Sequence, residues 1–236
     1  MNRMKSKAEA LKAAFPYTVP VLTGFIFLGI AYGITMNEKG FSVVWIFLMS
    51  LMVYAGAAQY VAITFLTSAF NPLYAFLMTL MVNVRHLFYG ISLLEKFKDT
   101  GKFKPYLIFA LCDETFSIVC SADPPENVDR NWFMFFITMM NHVYWVVGSV
   151  IGGFLGAVIS FNTKGLDFVL TALFVVIFTG QWKANKDHKP AAIGVLCSLI
   201  CLFIFGQAHF IIPSMIAILA VLMLLPSLPK YRSYLK

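Results

Sequence analysis

Apolar runs long enough to cross a lipid bilayer recur along the chain, and they restrict its possible folds more than any other feature. A transmembrane helix needs about 20 mostly apolar residues. Candidate runs lie at 13–36, 41–70, 72–94, 103–122, 132–161, 166–182, 190–206 and 208–228. Hydrophobic residues make up 60% of the chain and charged residues 12%, an excess that a soluble core does not explain. We therefore predict an all-α polytopic membrane protein with about seven or eight hydrophobic segments.

The polar parts of the chain are short tails and loops. We expect one transmembrane domain over 1–236, with basic tails at 1–12 and 229–236. The apolar run after the first tail is too long for the h-region of a cleaved signal peptide. The net charge of +7 comes from cations that flank apolar runs, which is typical of topology signals and not of nucleic-acid binding.

Two of the apolar runs are too long for one span and too short for two. These are 41–70 and 132–161. Small or polar residues interrupt each of them, "YAGAAQY" at 54–60 and "VGSVIGGFLG" at 147–156. Transporters place broken or re-entrant helices where the backbone lines a cavity. The sequence therefore predicts a broken or re-entrant helix in both runs.

Basic residues place the N-terminal tail and one internal loop on the same side of the membrane. Cytoplasmic loops carry an excess of Lys and Arg, and the segments richest in them are 1–12 and "EKFKDTGKFK" at 95–104. With both cytoplasmic, an even number of crossings separates them. Because 13–36 and 72–94 supply two, we expect 41–70 to return to the side from which it entered.

The same count of membrane crossings predicts on which side of the membrane the remaining loops lie. It places the acidic loop "DPPENVDR" at 123–130 outside the cell. A re-entrant helix at 132–161 then brings the basic C-terminal tail back to the cytoplasmic side. This scheme is self-consistent but not the only possible one.

A faint internal similarity suggests a repeat. Gln59 in "GAAQ" is followed by His86 in "NVRH", and Gln181 in "GQ" is followed at a similar separation by His209 in "GQAH". Repeated halves are common in transporters. With so few matched positions, chance and duplication explain the similarity equally well.

Three charged residues lie inside apolar runs, far from any loop: Arg85, Asp113 and Glu114. At the centre of a membrane each costs about 2.5–3.5 kcal/mol on insertion scales. Arg85 and Asp113 each lie about 15 Å along a helix from the Lys-rich loop between them. If the two runs form a hairpin, the charges share one level near the midplane and can pair directly or through a bound zwitterion.

The two carboxylates are expected to have different partners. Adjacent residues diverge by about 100° on a helix, so Asp113 and Glu114 cannot both face Arg85. One of them would bind substrate, and the other would carry a proton in a low-dielectric site. The sequence does not assign these roles, and the alternative is a structural ion pair between two helices.

Polar neighbours extend this candidate site. Asn83 and His86 lie on one helical face beside Arg85, and His86 is a further candidate for proton coupling. Gly56 and Gln59 lie at the predicted helix break, where freed N–H groups attract a carboxylate. The candidate substrate-binding residues are Arg85, Asp113, Glu114, Gln59, Gly56 and Asn83.

The sequence offers no support for a metal, a cofactor or catalysis. The four cysteines, Cys112, Cys120, Cys197 and Cys201, lie in apolar segments without CxxC spacing, which is typical of packing residues. There is no HExxH and no GxSxG motif. We expect a protein that is not an enzyme.

Four motifs in this order resemble the AzlC family, the large subunits of branched-chain amino acid exporters. They are "FLGIAYG" (27–33), "AGAAQY" (55–60), "NVRHLFYG" (83–90) and "DETFSI" (113–118). The resemblance runs over nearly the whole chain. In the last motif the family often has Tyr where this chain has Phe116, a minor departure.

The resemblance implies a secondary transporter that exports Leu, Ile, Val or similar apolar amino acids across the cytoplasmic membrane of a bacterium. It also implies a small membrane partner of the AzlD type. Proton coupling by antiport is our hypothesis from the surplus carboxyl, for which Glu114, Asp113 and His86 are the candidates. A passive channel or permease, or an assembly subunit for another small solute, remains the alternative.

Overall fold

The computed structural model describes residues 2–67, 69, 71–158, 175, 178–179, 182–183 and 188–224. Over these residues the protein is helical and contains no β-strand, which confirms the predicted all-α class. The chain divides into two compact units, Met1–Thr171 and Ala172–Lys236.

In the described part of the first unit there are two long helices and six short ones. The long helices are α1 (Asn2–Glu38) and α8 (Arg130–Val158). The short helices are α2 (Val43–Met52), α3 (Gly56–Thr67), α4 (Pro72–Asn83), α5 (Arg85–Phe97), α6 (Lys104–Phe109) and α7 (Asp113–Ser121), with a 3₁₀ turn at Gly101–Phe103. At about 1.5 Å per residue, each short helix covers about two thirds or less of a bilayer core about 30 Å thick.

Helices α1 and α8 pack side by side in the same direction along their whole length. Tyr17 contacts Phe133 with ring centroids 5.5 Å apart. Further along, the rings of Phe25 and Trp145 are 5.7 Å apart. This pair forms the frame of the unit, and its two ends are called the Arg130 end and the Val158 end below.

Glycines spaced four residues apart allow this close packing. An added Cβ at Gly33 of α1 would overlap the backbone oxygen of Ser149, and one at Gly152 of α8 would overlap the backbone oxygen of Ile30. Such G-xxx-G faces let helix backbones approach closely in membranes. The predicted break at 147–156 is therefore wrong, because these small residues serve helix packing and α8 is continuous.

Helices α2 and α3 form a hairpin that enters from the Val158 end and stops halfway. Near its start, the side chain of Ile46 lies against Gly153 of α8. At its other end, the carbonyl of Leu51 accepts a hydrogen bond from His142, at 3.2 Å. The chain then breaks at 53–55, where Tyr54 has a φ of +39°, and α3 leads back past Tyr32. The structure agrees with the predicted interruption in 41–70.

Helices α6 and α7 form a second half-length hairpin, which enters from the Arg130 end. Phe103 packs on Trp132 at 4.7 Å, and the hydroxyl of Tyr106 reaches His142 at 3.0 Å. After a break at 110–112, α7 returns until Ala122 packs in the same buried cluster as Phe133. The prediction of one uninterrupted helix over 103–122 is therefore wrong.

Helices α4 and α5 together form one bent, span-length segment. Asn71 caps the start of α4 by accepting a hydrogen bond from the backbone N–H of Tyr74, at 3.1 Å. The helix axis turns by 44° between the two parts, and Val84 separates them. The run 72–94 is therefore broken directly before Arg85, which the sequence analysis did not predict.

The acidic loop lies at the Arg130 end, together with the N-terminal helix and the Lys-rich loop. The Nζ of Lys7 lies 4.4 Å from the ring centre of Trp132. The amide of Asn131 donates to the backbone oxygen of Asp99 at 3.2 Å. The prediction that 123–130 faces the side opposite to these segments is therefore wrong, because the α6–α7 hairpin returns to the end from which it started.

The second unit contains α9 (Lys189–His209) and α10 (Ile211–Leu224), with a kink in α9 at Gly206, where φ is +68°. Within the described residues three helices are long and apolar enough to cross a membrane: Lys7–Glu38, Arg130–Val158 and Lys189–Gly206. The bent α4–α5 segment adds a fourth if it is one span. The predicted segment 166–182, Gln181 of the possible repeat and the tail 229–236 lie mostly or wholly outside the described residues.

Candidate functional site

The two half-length hairpins and the bend of α4–α5 meet halfway along α8. The hydroxyl of Tyr54, in the first hairpin tip, lies 3.6 Å from the Sγ of Cys112 in the second. The Tyr54 ring also packs on His142 of α8, with ring centroids 4.2 Å apart. Three breaks in helical backbone thus converge at one level of the unit, which is where membrane transporters bind their solutes.

A cavity of about 360 Å³ lies at this meeting point. All three breaks contribute to its lining, which is Met49, Val53, Tyr54, Ala55, Ala58, Ala62, Thr79, Asn83, His86, Ile108, Phe109 and Leu111. Most of these side chains are apolar, and a few polar groups sit among them. This combination, at this size, is typical of a small-molecule site.

Arg85 and Asp113 form a salt bridge and hydrogen bond. Neither of them lines the cavity, nor does Glu114, but His86 and Leu111 close to them in the chain do. Tyr89 donates its hydroxyl to the other oxygen of Asp113 at 3.0 Å. The Tyr89 ring stacks on Phe116 at a centroid distance of 4.3 Å. The sequence predicted that Arg85 and Asp113 share one level, and the structure joins them directly.

The pair occupies the first residues of two helices, and this position has electrostatic consequences. The N-terminus of a helix carries partial positive charge, which stabilises the carboxylate of Asp113 and opposes the guanidinium of Arg85. Arg85 therefore depends on its carboxylate partner. At the other end of α7, Lys96 donates to the free backbone oxygens of Val119 and Cys120 at 2.8 and 2.9 Å.

Because Arg85 and Lys96 contact opposite ends of α7, helices α5 and α7 run in the same direction. A hairpin of the runs 72–94 and 103–122, the arrangement considered from the sequence, would have made them antiparallel. The charges still meet, because the short α6 brings the chain back to the level of Arg85 before α7 begins. The side chains of Arg85 and Asp113 keep 30% and 16% of their accessible surface, so the described part of the chain does not enclose the pair completely.

Glu114, the next residue on α7, takes no part in the salt bridge between Arg85 and Asp113. Its side chain is half-buried, and within the described part of the chain no Lys, Arg or His forms an ion pair with it. A second carboxyl without a cation is thus held at the same level as the first. Such a group can take up and release a proton without breaking an ion pair.

A polar chain behind the second hairpin tip was not assigned to the site by sequence reasoning. The Sγ of Cys112 lies 3.1 Å from the hydroxyl of Thr115, which accepts a hydrogen bond from the amide of Asn141 at 3.0 Å. On α8 the next residue, His142, bridges the two hairpins through Tyr106 and Leu51. The polar pair "NH" within an apolar helix was the available signal.

The other predicted site residues divide into two groups. Asn83 and His86 line the cavity. Gln59 is fully buried and accepts a hydrogen bond from the indole of Trp145 at 2.8 Å, and a Cβ at Gly56 would lie 3.2 Å from the same ring. Neither Gln59 nor Gly56 lines the cavity. Among the residues described, no group of three or more His, Cys, Asp or Glu side chains is placed to hold a metal ion.

Comparisons with known proteins identify relatives of the chain. The family model described as "AzlC protein" matches residues 20–159. The "Branched-chain amino acid transport protein AzlC" of Bacillus subtilis (strain 168) is 55% identical, over 95% of this chain and 89% of that protein. An "Uncharacterized membrane protein" of Haemophilus influenzae is 45% identical, over 91% and 88%. The "Inner membrane protein YgaZ" of Escherichia coli (strain K12) is 30% identical, over 77% and 78%. No solved structure matches the chain.

Proposed function

The chain belongs to the AzlC family, and on this premise we propose that it exports branched-chain or similar apolar amino acids across the cytoplasmic membrane of a bacterium. The whole chain, 1–236, would act as one transporter domain, a secondary carrier that moves protons against its substrate. The alternatives are a passive channel and an assembly subunit for another solute.

The observation that carries this proposal is a mixed-charge pair close in sequence to residues that line the cavity, His86 next to Arg85 and Leu111 two residues before Asp113. An α-amino acid is a zwitterion, and the Arg85–Asp113 pair offers one group for each of its charges. Arg85 would take the carboxylate in a charge-assisted hydrogen bond, and Asp113 would take the ammonium group. Exchanging an internal ion pair for two pairs with the solute leaves the net charge of the site unchanged, which limits the cost of desolvation.

The apolar lining of the cavity accounts for the proposed choice of side chain. Met49, Ala62, Ile108 and Leu111 offer surface that a Leu, Ile or Val side chain can cover. Burying one such side chain contributes about 1.5–3 kcal/mol. A polar side chain of the same size would lose its water there without gaining a hydrogen bond from these residues.

The distribution of cations supports an orientation with the Arg130 end in the cytoplasm. The N-terminal tail, the Lys-rich loop and Arg130 all belong to this end, whereas Lys39 lies at the other end. Cytoplasmic ends carry the excess of Lys and Arg. In this orientation the acidic loop 123–130 is cytoplasmic too.

The first test measures efflux of preloaded labelled valine from cells that express the chain alone or with a small subunit of the AzlD type. We expect faster efflux when both proteins are present, because the family resemblance implies a two-component exporter. Accelerated exchange at saturating external valine would identify a carrier, whereas flux proportional to concentration would identify a channel. Unchanged efflux in both strains, with the chain in the membrane, would contradict the proposal.

Glu114 gives the test of proton coupling. In vesicles we expect Glu114→Gln to retain valine–valine exchange and to lose accumulation driven by a pH gradient, by about tenfold or more. The amide preserves the shape of the side chain but does not take up a proton at neutral pH. Exchange and gradient-driven uptake are measured on the same preparation.

Glu126→Gln in the exposed acidic loop is the matched control and is expected to behave as the wild type. Gradient-driven accumulation that survives Glu114→Gln would show that Glu114 does not carry the coupled proton. Asp113→Asn and His86→Gln would then be tested in the same assay, since both residues are candidates from the sequence.

A further inference from the structure

We propose that His86, Ile108 and Leu111 form a gate between the cavity of the candidate site and a second cavity next to it; the two cavities are called vestibules below. This inference rests on the proposed transport function and names the residues that block the path. It is carried by the positions of two cavities, which share these three side chains.

The second cavity also has a volume of about 360 Å³. One face of α5 and part of α6 line it, with side chains from His86, Leu87, Gly90, Ile91, Leu93, Leu94, Phe97, Lys104, Ile108 and Leu111. Only three of these residues also line the first cavity: His86, Ile108 and Leu111. The two cavities therefore adjoin each other at these three side chains.

The two cavities lie in different halves of the unit. The first contains Ala62 and Thr79, which belong to the α3–α4 half toward the Val158 end. The second contains Phe97 and Lys104, which lie beside the Lys-rich loop at the Arg130 end. A solute that passes from one cavity to the other therefore moves along the direction in which α8 crosses the unit.

The shared residues are suited to closing a path reversibly. Ile108 lies two residues before the break at the tip of the second hairpin and Leu111 lies within it. Apolar constrictions of this kind exclude water when they narrow. His86 comes from the first turn of α5, where its Nδ1 lies 3.2 Å from the backbone oxygen of Asn83. Both positions adjoin backbone without continuous helical hydrogen bonds, so small rotations there separate the three side chains.

Cysteine labelling tests the two vestibules without requiring transport. Thr79→Cys lies only in the first cavity and Gly90→Cys only in the second, and a Cβ at Gly90 meets nothing within 4 Å. Each variant is treated with the membrane-impermeant reagent MTSET in right-side-out and in inside-out vesicles. Peptide mass spectrometry assigns the label against the native cysteines of the wild type. We expect the two positions to react from opposite faces, each at least about tenfold faster than from the other face.

Widening the gate should remove this difference. Ile108→Ala and Leu111→Ala are added to the Thr79→Cys variant. We expect the cysteine at position 79 to react about tenfold faster with MTSET applied from the membrane face that labels Gly90→Cys. Leu107→Ala is the matched control, because Leu107 lies on the same hairpin, is fully buried and lines neither cavity. It should leave the labelling face unchanged.

The outcomes separate the gate from the proposed substrate. Labelling of Thr79→Cys and Gly90→Cys from one face, or of neither, overturns the gate even where valine efflux is observed. An increase with Leu107→Ala as large as that with the Ile108→Ala and Leu111→Ala pair would mean general loosening and would also overturn it. Opposite-face labelling without valine efflux would keep the gate and reject the amino acid substrate.

Discussion

Arg85→Gln is expected to reduce valine efflux at least about 100-fold and also to lower the yield of folded protein. Removing one partner of a buried ion pair costs about 3–5 kcal/mol, because the other charge is left unpaired. Because the side chains of Arg85 and Asp113 are partly exposed, by 30% and 16%, we expect a cost near the lower end of this range, about 3 kcal/mol. A change of 3 kcal/mol corresponds to roughly 150-fold. Efflux and the amount of detergent-extracted, monodisperse protein are measured together, with Arg130→Gln as the exposed arginine control.

A double variant separates a binding role from a structural one. Arg85→Gln combined with Asp113→Asn removes both charges, so neither member of the pair is left without its partner. If the pair only joins α5 to α7, the double variant recovers both protein yield and efflux. If the pair binds the zwitterion, the double variant recovers yield and remains inactive, which is the result we expect.

Gly33→Leu is expected to prevent folding, because it separates α1 from α8. Even a Cβ at this position overlaps the backbone of Ser149 and Gly153. Overpacking a well-packed core costs about 1–3 kcal/mol when side chains can move aside, and backbone atoms of a neighbouring helix cannot. We expect a loss above about 3 kcal/mol, measured as a fall in the thermal midpoint of the purified protein or as the absence of monodisperse protein.

Gly24→Leu on the same helix is the matched control. A Cβ at Gly24 meets nothing within 4 Å, and leucine favours helix over glycine by up to about 1 kcal/mol. This variant should be as stable as the wild type or slightly more stable. Equal stability of the Gly33→Leu and Gly24→Leu variants would show that α1 and α8 are not in backbone contact.

Much of the candidate site follows from residue placement along apolar runs. A charged side chain is expensive in a membrane wherever it lies, so Arg85, Asp113 and Glu114 pointed to the site without knowledge of the fold. The glycine and small residues before Gln59 indicated the break at 53–55. The divergence of Asp113 and Glu114 is a property of any helix and needed no tertiary information.

The breaks at Val84 and at 110–112 could not be predicted from hydropathy, because two half-length helices and one span have the same composition. One local signal was present at the second break. Two acidic residues in succession are typical of the first turn of a helix, and Asp113 and Glu114 begin α7. No acidic residue directly precedes or begins α5 at Arg85. The bend there depends on how α4 and α5 pack against the rest of the unit.

The glycines of α8 show a different limit of sequence reasoning. Small residues permit both a break and a close helix contact, and only the partner helix decides between them. The matching spacing of Gly29 and Gly33 on α1 was the signal for a contact. The prediction of the membrane side on which the acidic loop 123–130 lies was wrong for a related reason. It depended on counting 103–122 as a full crossing of the membrane.

The parallel pairing of α1 with α8 also sets the order in which this unit can assemble during synthesis. Contacting residues such as Thr18 and Met140 are 122 positions apart. At the usual 5–20 residues per second, α1 exists for roughly 6–24 s before its partner is made. Both half-length hairpins are translated within that interval, and the helix against which their tips pack does not yet exist. The surroundings of Arg85 and Asp113 are therefore completed only after the ribosome has passed α8.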